Sequence, residues 1–114
     1  MRLHYLEIVS PDVDAVCAGY AAALGVTFGS ADPMLGGART ASLPGGGSIG
    51  VRGPLREDED PIVRPYWLVD DIEAALGAAA RAGAFVAHPA LEIPGKGSFA
   101  IYIQGGVNHG LWQL

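Results

Sequence analysis

The chain has 114 residues, of which 50% are hydrophobic, and this is enough for one compact domain with its own core. The net charge of −5, with only seven Lys and Arg residues, argues against nucleic acid or an anionic membrane as a partner, because phosphate recognition needs clustered positive charge. No signal peptide or apolar run of about 18 residues is present, so a cytoplasmic protein is expected. The one cysteine, Cys17, cannot form an internal disulfide and is interpreted as a small buried hydrophobic residue.

The first half of the chain predicts a strand, a helix and two further strands. Leu3–Val9 is an apolar strand, and Asp12 is the predicted N-cap of a helix that Gly25 ends. Strands are also predicted at Ala38–Leu43 and Ser48–Arg52, joined by a glycine-rich turn. The helix should bury one apolar face, formed by Val13, Val16, Cys17, Tyr20 and Leu24.

The second half predicts the same kinds of element in the same order. A strand at Val63–Val69 precedes a helix at Asp71–Ala82, and three more strands follow, near Phe85, at Phe99–Gln104 and at Val107–Gln113. The inner face of the helix is predicted to consist of Ile72, Leu76, Ala79 and Ala80.

These two halves repeat each other in sequence. Asp12 aligns with Asp71, each followed by Val or Ile, then an acidic residue, then Ala, at a separation close to half the chain length. A second similarity links Gly45–Arg52 with Gly105–Trp112. The chain is therefore interpreted as one α+β domain made of two βαβββ modules, residues 1–55 and 63–114, with a polar linker at residues 56–62.

In sequence the chain resembles the vicinal oxygen chelate superfamily, the fold shared by glyoxalase I, the bleomycin-resistance proteins and extradiol dioxygenases. The resemblance covers almost the whole chain and rests on three segments in this order and spacing: HYLEIVSPDVDAV at residues 4–16, VDDIEAAL at residues 69–76 and HGLWQL at residues 109–114. It implies that the two modules form a concave mixed-sheet cleft. It also implies a homodimer, which is common in that superfamily.

In that superfamily a divalent metal is typically held by side chains from the first and last strands of each module. The family pattern places the opening ligands at Tyr5 and Arg64 and the last-strand ligand at Gly110, with Gly50 as its internal counterpart. None of these is a plausible metal ligand, and a divalent ion needs three or four imidazole or carboxylate donors. We therefore expect no metal site and no cofactor.

A shift of one residue in this alignment keeps a divalent metal as an alternative. The shift places His4 at the opening position. His4 and Glu7 point to opposite sides of a regular strand, so they cannot share an ion there. A shared face for His4 and His109 would still lack a third donor, because the matching positions, Pro65 and Leu111, supply none.

Without a metal, the cleft would present other chemistry. If Tyr5 faces it, strand alternation brings a carboxylate, two guanidiniums, phenols and an indole to the same surface. These groups suit a flat or anionic small organic ligand, through stacking, cation–π contacts and charge-assisted hydrogen bonds. The predicted ligand-binding residues are Tyr5, Arg52, Arg64, Tyr66, Asn108 and Trp112.

Two roles remain open for Glu7, and two positions for Trp112. Glu7 is the candidate general base, or else it forms a structural ion pair with Arg52 or Arg64. Trp112 is interpreted as a wall of the cleft, or else as part of a dimer contact.

Two functions from different classes follow from this reading. The first is a glyoxalase-like or bleomycin-resistance-like protein of unassigned activity that binds a small organic molecule without a conventional metal site. The alternative is an enzyme of the same fold, a lyase, isomerase or dioxygenase, that uses an unconventional metal site or Glu7 as a base.

Overall fold

The computed structural model describes all residues, Met1–Leu114, and contains eight strands and two α-helices. A short 3₁₀ turn, Pro33–Leu35, follows the second strand. The order βαβββ therefore occurs twice, which confirms the predicted α+β fold class. In chain order the elements are β1 Arg2–Val9, α1 Val13–Leu24, β2 Ala31–Asp32, β3 Ala38–Ser42, β4 Ser48–Arg52, β5 Ile62–Leu68, α2 Ile72–Arg81, β6 Phe85–Ile93, β7 Gly97–Gln104 and β8 Val107–Gln113.

The chain divides into two compact units. The first unit is Tyr5–Val63, and the second unit is Arg64–Leu114 together with Met1–His4. In the first unit the strand order is β2-β3-β4-β1, with β1 parallel to β4 and the other pairs antiparallel. Helix α1 packs on this sheet over a buried core formed by Ile8, Cys17, Ala41, Ile49 and Val51.

The second unit has a sheet of equivalent topology. Its strand order is β5-β8-β7-β6, with β5 parallel to β8 and the other pairs antiparallel. Helix α2 packs over a core formed by Ile72, Leu76, Ala100 and Leu111. The equivalence extends to register, because Glu7 lies opposite Gly50 in the first unit and Tyr66 lies opposite Gly110 in the second.

Strand β2 has no counterpart among the predicted strands. It is two residues long, Ala31–Asp32, and pairs only with Arg39 and Ala38 of β3. A segment this short shows no alternation of apolar and polar residues, so its sequence could not indicate a strand.

The two helices begin differently, although both were predicted to have an aspartate N-cap. The Oδ1 of Asp71 accepts a hydrogen bond from the Ala74 backbone N–H at 3.0 Å. Asp12 makes no such bond, and its own backbone N–H donates to the Ser10 hydroxyl at 3.1 Å. Asp12 is the N-cap residue of α1 as predicted, but its side chain accepts no hydrogen bond from the helix. Gly25 ends α1 as predicted, with φ of 70°, which is the left-handed conformation that glycine adopts without strain.

Two predicted inner-face residues are exposed in the structure. Leu24 is 65% exposed, because it lies in the last turn of α1, beyond the positions that pack on the core. Ala80 is exposed as well, and Ala75 packs on the core in its place, because the buried arc of α2 is centred on Ile72 and Leu76. Neither helix is long and apolar enough to cross a membrane.

Candidate functional site

In the first unit a buried arginine bridges two carboxylates. The Nε of Arg52 donates to Glu7 Oε2 at 2.8 Å, so one of the two interpretations of Glu7, an ion pair with Arg52, is present in the structure. The Nη1 and Nη2 of Arg52 donate to the two carboxylate oxygens of Glu59, each at 2.9 Å. Nη1 also donates to the Gly53 carbonyl at 3.1 Å. Such bidentate, charge-assisted pairs are among the strongest hydrogen bonds in proteins.

The sequence did not predict Glu59 as a partner of Arg52, because Glu59 lies in the stretch interpreted as a polar linker. Its neighbours Asp58 and Asp60 are exposed, whereas the Glu59 side chain is only 13% exposed. The Leu55 backbone N–H donates to it at 2.7 Å. The hydrogen bond with Arg52 is the main cause that lowers the pKa of Glu59 to about 2. Only the path of the loop distinguishes Glu59 from the acidic residues on either side of it.

Tyr5 lies beside the Glu7–Arg52 pair and fills the space above Gly50. A Cβ atom at Gly50 would come within 2.5 Å of the Tyr5 Cζ and 2.8 Å of its Cε1. Tyr5 is 4% exposed, and burial, followed by the charge of Glu7, raises the pKa of its phenol. The phenol is therefore protonated at neutral pH.

In the second unit a second buried arginine donates hydrogen bonds to a phenol and an amide. Arg64 is 9% exposed on β5. Its Nη1 donates to the Tyr66 hydroxyl at 3.5 Å and its Nη2 to Asn108 Oδ1 at 3.4 Å. Both bonds are long compared with the 2.8 Å bond between Arg52 and Glu7. Three of the predicted ligand-binding residues thus come together in one group, which we call the Arg64 group: Arg64, Tyr66 and Asn108.

Aromatic rings surround the Tyr66 side of the Arg64 group. Tyr66 meets Trp112 edge-on at a centroid distance of 5.6 Å and Phe99 edge-on at 6.3 Å. Trp112 also lies 5.2 Å from the His4 ring, and Phe99 lies 4.7 Å from the His88 ring. Edge-to-face and tilted geometries of this kind are the favoured ones for aromatic pairs. Sequence reasoning anticipated Tyr66 and Trp112 here but not Phe99 or the two histidines, whose positions depend on strand pairing.

Trp112 also has a structural role. Its Nε1 donates to the Lys96 carbonyl at 2.9 Å, which ties β8 to the turn between β6 and β7. Gly97, at φ of 114°, allows this approach, since a Cβ there would lie 2.9 Å from Trp112 Nε1. Only 4% of Trp112 is exposed, so it offers almost no surface for a dimer contact.

The residues at the four positions where the family pattern predicts metal ligands do not fit a divalent ion. Tyr5 and Arg64, at the predicted opening positions, supply no suitable donor. At Gly110 a Cβ would lie 2.6 Å from Tyr66 Cγ and 2.7 Å from the Pro65 carbonyl, just as Tyr5 fills the space at Gly50. Elsewhere, no group of three or more His, Cys, Asp or Glu residues is placed to hold a metal.

The histidine pair of the shifted alignment is not brought together. His4 lies against Trp112, whereas His109 stacks on Tyr102 at 5.1 Å. Residues 109 and 112 are an odd number of positions apart on β8 and therefore face opposite sides of the sheet. Burial, followed by the charge of Arg2, lowers the pKa of His4, so its ring is mainly neutral at pH 7.

No protein-family model and no curated protein matches this sequence, but solved structures do. Methylmalonyl-CoA epimerase from Mycobacterium tuberculosis is similar, with a TM-score of 0.74, 19% sequence identity, and coverage of 97% of this chain and 86% of that one. A hypothetical protein from Bacillus halodurans C-125 has a TM-score of 0.73 at 17% identity, covering 99% and 94%. A variant of Streptomyces coelicolor methylmalonyl-CoA epimerase in complex with 2-nitronate-propionyl-CoA has a TM-score of 0.67 at 18% identity, covering 99% and 96%.

The similarity to these structures extends over nearly the whole chain. Methylmalonyl-CoA epimerases are members of the superfamily that the sequence resembles. The repeated βαβββ order, the equivalent register in the two units and the structural comparisons all agree. The chain therefore has the fold of the vicinal oxygen chelate superfamily.

Proposed function

We propose that this protein binds a small organic anion at the Arg64 group and that the binding needs no metal. The observation that carries the proposal is the buried guanidinium of Arg64, held beside a phenol and an amide and bordered by aromatic rings. A guanidinium recognises carboxylate oxygens through paired hydrogen bonds, and its attraction is stronger where water is excluded. Tyr66 and Asn108 can each add a hydrogen bond to a ligand oxygen.

A flat ligand suits the surroundings of this group. Phe99, His88 and Asn108 are half-buried, so each presents part of its surface. The Phe99 and His88 rings lie 30° from parallel, a geometry that can extend to a third planar group. The solved structures of similar fold include epimerases bound to acyl-CoA compounds, which carry anionic groups.

Benzoate and benzamide test the proposal because they have the same shape and differ in charge. We expect benzoate to bind at least about tenfold more tightly than benzamide, since a charge-assisted hydrogen bond contributes about 1.5–3 kcal/mol. Arg64→Gln should remove this preference. The control Arg39→Gln, on β3, removes the charge of an arginine that pairs with Asp14 and should retain the preference. Isothermal titration calorimetry measures both affinities.

Equal affinity for benzoate and benzamide would contradict the proposal, as would an Arg64→Gln variant that keeps the preference. Melting curves of both variants show whether each is folded at the titration temperature. If Arg64→Gln is unfolded, Asn108→Ala is the replacement, because it removes one neighbour of the guanidinium and leaves the buried charge in place.

A second candidate function is a metal-independent isomerase in which Glu7 removes a proton from an acyl-CoA substrate. The similarity of the fold to methylmalonyl-CoA epimerases favours it. Glu7 is 8% exposed, and the hydrogen bond from Arg52 to Oε2 orients its carboxylate, which is the candidate proton acceptor.

Deuterium exchange into methylmalonyl-CoA in D₂O, followed by NMR, tests this candidate. The wild-type protein should catalyse exchange, and Glu7→Gln should slow it by about 100-fold or more, the usual contribution of a general base. Glu73→Gln, on the exposed face of α2, is the matched control and should leave the rate unchanged. A wild-type protein without exchange, or a Glu7→Gln variant that keeps it, would rule out this role.

A cytoplasmic location and a homodimer, both expected from the sequence, stay predictions. The free, buried Cys17 supports the first, because a reducing compartment maintains such a thiol. Burial raises the pKa of Cys17, which keeps the sulfur protonated and unreactive.

A further inference from the structure

We infer that the Arg52 guanidinium is a binding site for one carboxylate and that the protein itself fills this site with Glu59. A ligand carboxylate would bind by displacing Glu59 and taking over its two hydrogen bonds. This inference concerns residues of the first unit and goes beyond the proposed function, which concerns the Arg64 group.

Geometry distinguishes the two carboxylates on Arg52. Glu7 contacts only Nε and belongs to β1, a strand whose residues in the first unit are mostly buried. Glu59 takes the Nη1 and Nη2 edge with both of its oxygens, which is the fork arrangement by which arginine recognises free carboxylates.

Glu59 lies in a segment that can move without breaking the sheet. Residues 53–61 contain neither helix nor strand, and seven of these nine are exposed, including Leu55 at 65%. The short-range bonds of Glu59 to Leu55 and Arg56 lie within this segment. Its ion pair with Arg52 joins the middle of the segment to β4, and the bond from Arg52 Nη1 to the Gly53 carbonyl joins its first residue. Displacing the Glu59 side chain therefore loosens the loop beyond Gly53 and leaves the sheet hydrogen bonds intact.

The local charge favours an exchange of one carboxylate for another. With Glu59 bound, the three side chains Glu7, Arg52 and Glu59 carry a net charge of −1. When Glu59 leaves, the Glu7–Arg52 pair is neutral and the Nη edge of a buried arginine loses both carboxylate oxygens and keeps the Gly53 carbonyl, which is costly. An external carboxylate restores both the charge and the paired hydrogen bonds, whereas a neutral molecule does not restore the charge.

Acetate is a suitable probe because its methyl group and carboxylate correspond to the Cγ and carboxylate that the substitution Glu59→Ala removes. We expect acetate to bind Glu59→Ala saturably at millimolar concentration and to shift the NMR signals of Arg52 Nε–H and the Leu55 amide. Acetate should shift the same signals in the wild-type protein too, but with an apparent affinity at least about tenfold weaker, because the tethered Glu59 competes at a high effective concentration.

The control variant is Asp58→Ala, which removes an exposed carboxylate on the same loop and should bind acetate as weakly as the wild type does. Sodium chloride at matched ionic strength corrects for screening.

Two outcomes would overturn the inference. If acetate shifts no signals in Glu59→Ala beyond those that chloride shifts, Arg52 is not a carboxylate site. If acetate binds the variant but never displaces Glu59 from the wild-type protein, Glu59 is a permanent structural partner.

If Glu59→Ala does not fold, Glu59→Gln is the second variant, because it keeps the length of the side chain and removes its charge. Acetate should displace the glutamine side chain more readily than it displaces Glu59. Loss of benzoate binding at the Arg64 group would affect neither result.

Discussion

Gly50 and Gly110 show how single residues determine which side chains fit between neighbouring strands of this fold. Each lies opposite a residue of a parallel neighbouring strand, and each has a tyrosine ring in the space that a side chain would need. At Gly50 the ring is that of Tyr5, and at Gly110 it is that of Tyr66. A carboxylate or imidazole side chain at either position would collide with the ring, so the packing of the two tyrosines requires glycine there.

Substituting Gly110→Ala tests this packing. The new Cβ would lie 2.6 Å from Tyr66 Cγ and 2.7 Å from the Pro65 carbonyl, so the ring or the β5 backbone must shift. Overpacking of this kind costs about 1–3 kcal/mol, and we expect the free energy of unfolding to fall by this amount in urea denaturation. Gly53→Ala is the control, because a Cβ there meets nothing within 4 Å. Equal stability of the two variants would mean that the Tyr66 ring does not occupy this space.

Among single residues, the partners of Arg52 also differ in how far they could be predicted. Glu7 was a predicted partner, with Arg52 or Arg64, because strand alternation places its side chain on the predicted cleft face that these arginines share. Glu59 was not, because nothing in a run of four acidic residues, Glu57–Asp60, marks which one turns inward. A loop has no periodicity, so only its folded path assigns that role.

For the helices, the first turns of α1 and α2 show that equal sequence signals can produce different local structures. Asp12 and Asp71 precede similar residues, yet only the Asp71 side chain accepts a hydrogen bond from its helix. The backbone of Asp71 is extended, with ψ of 100°, whereas ψ of Asp12 is 68°. The preceding residues, Ser10 and Pro11, give α1 a different entry, in which the Ser10 hydroxyl accepts the Asp12 N–H.

This contrast predicts unequal costs for the same substitution. Asp71→Ala removes a cap and should lower the free energy of unfolding by about 1 kcal/mol, which is a fall of roughly 4 °C in melting temperature. Asp12→Ala removes no cap and should cost less than about 0.5 kcal/mol. Thermal melts at constant pH provide the comparison, and a larger loss for Asp12→Ala would show that the capping geometry is assigned to the wrong helix.

For the whole molecule, the internal repeat explains why the fold is recognisable although sequence identity to the solved structures is only 17–19%. Both units have the same strand order, the same parallel pair and a helix over an apolar sheet face. Such an architecture depends on the pattern of buried apolar positions and not on particular side chains. The polar residues are free to differ, and function must be argued from them.

The sequence by itself determined the α+β class, the repeated element order and most element bounds, because hydrophobic periodicity, glycine stops and acidic helix starts are local signals. It also indicated the partners Glu7 and Arg52, and the grouping of Arg64 with Tyr66, through strand alternation. Only the tertiary structure decided that Glu59 closes on Arg52, that tyrosine rings cover Gly50 and Gly110, and that Trp112 anchors a turn. These contacts join residues from different strands and loops, and their formation depends on three-dimensional packing that no local pattern encodes.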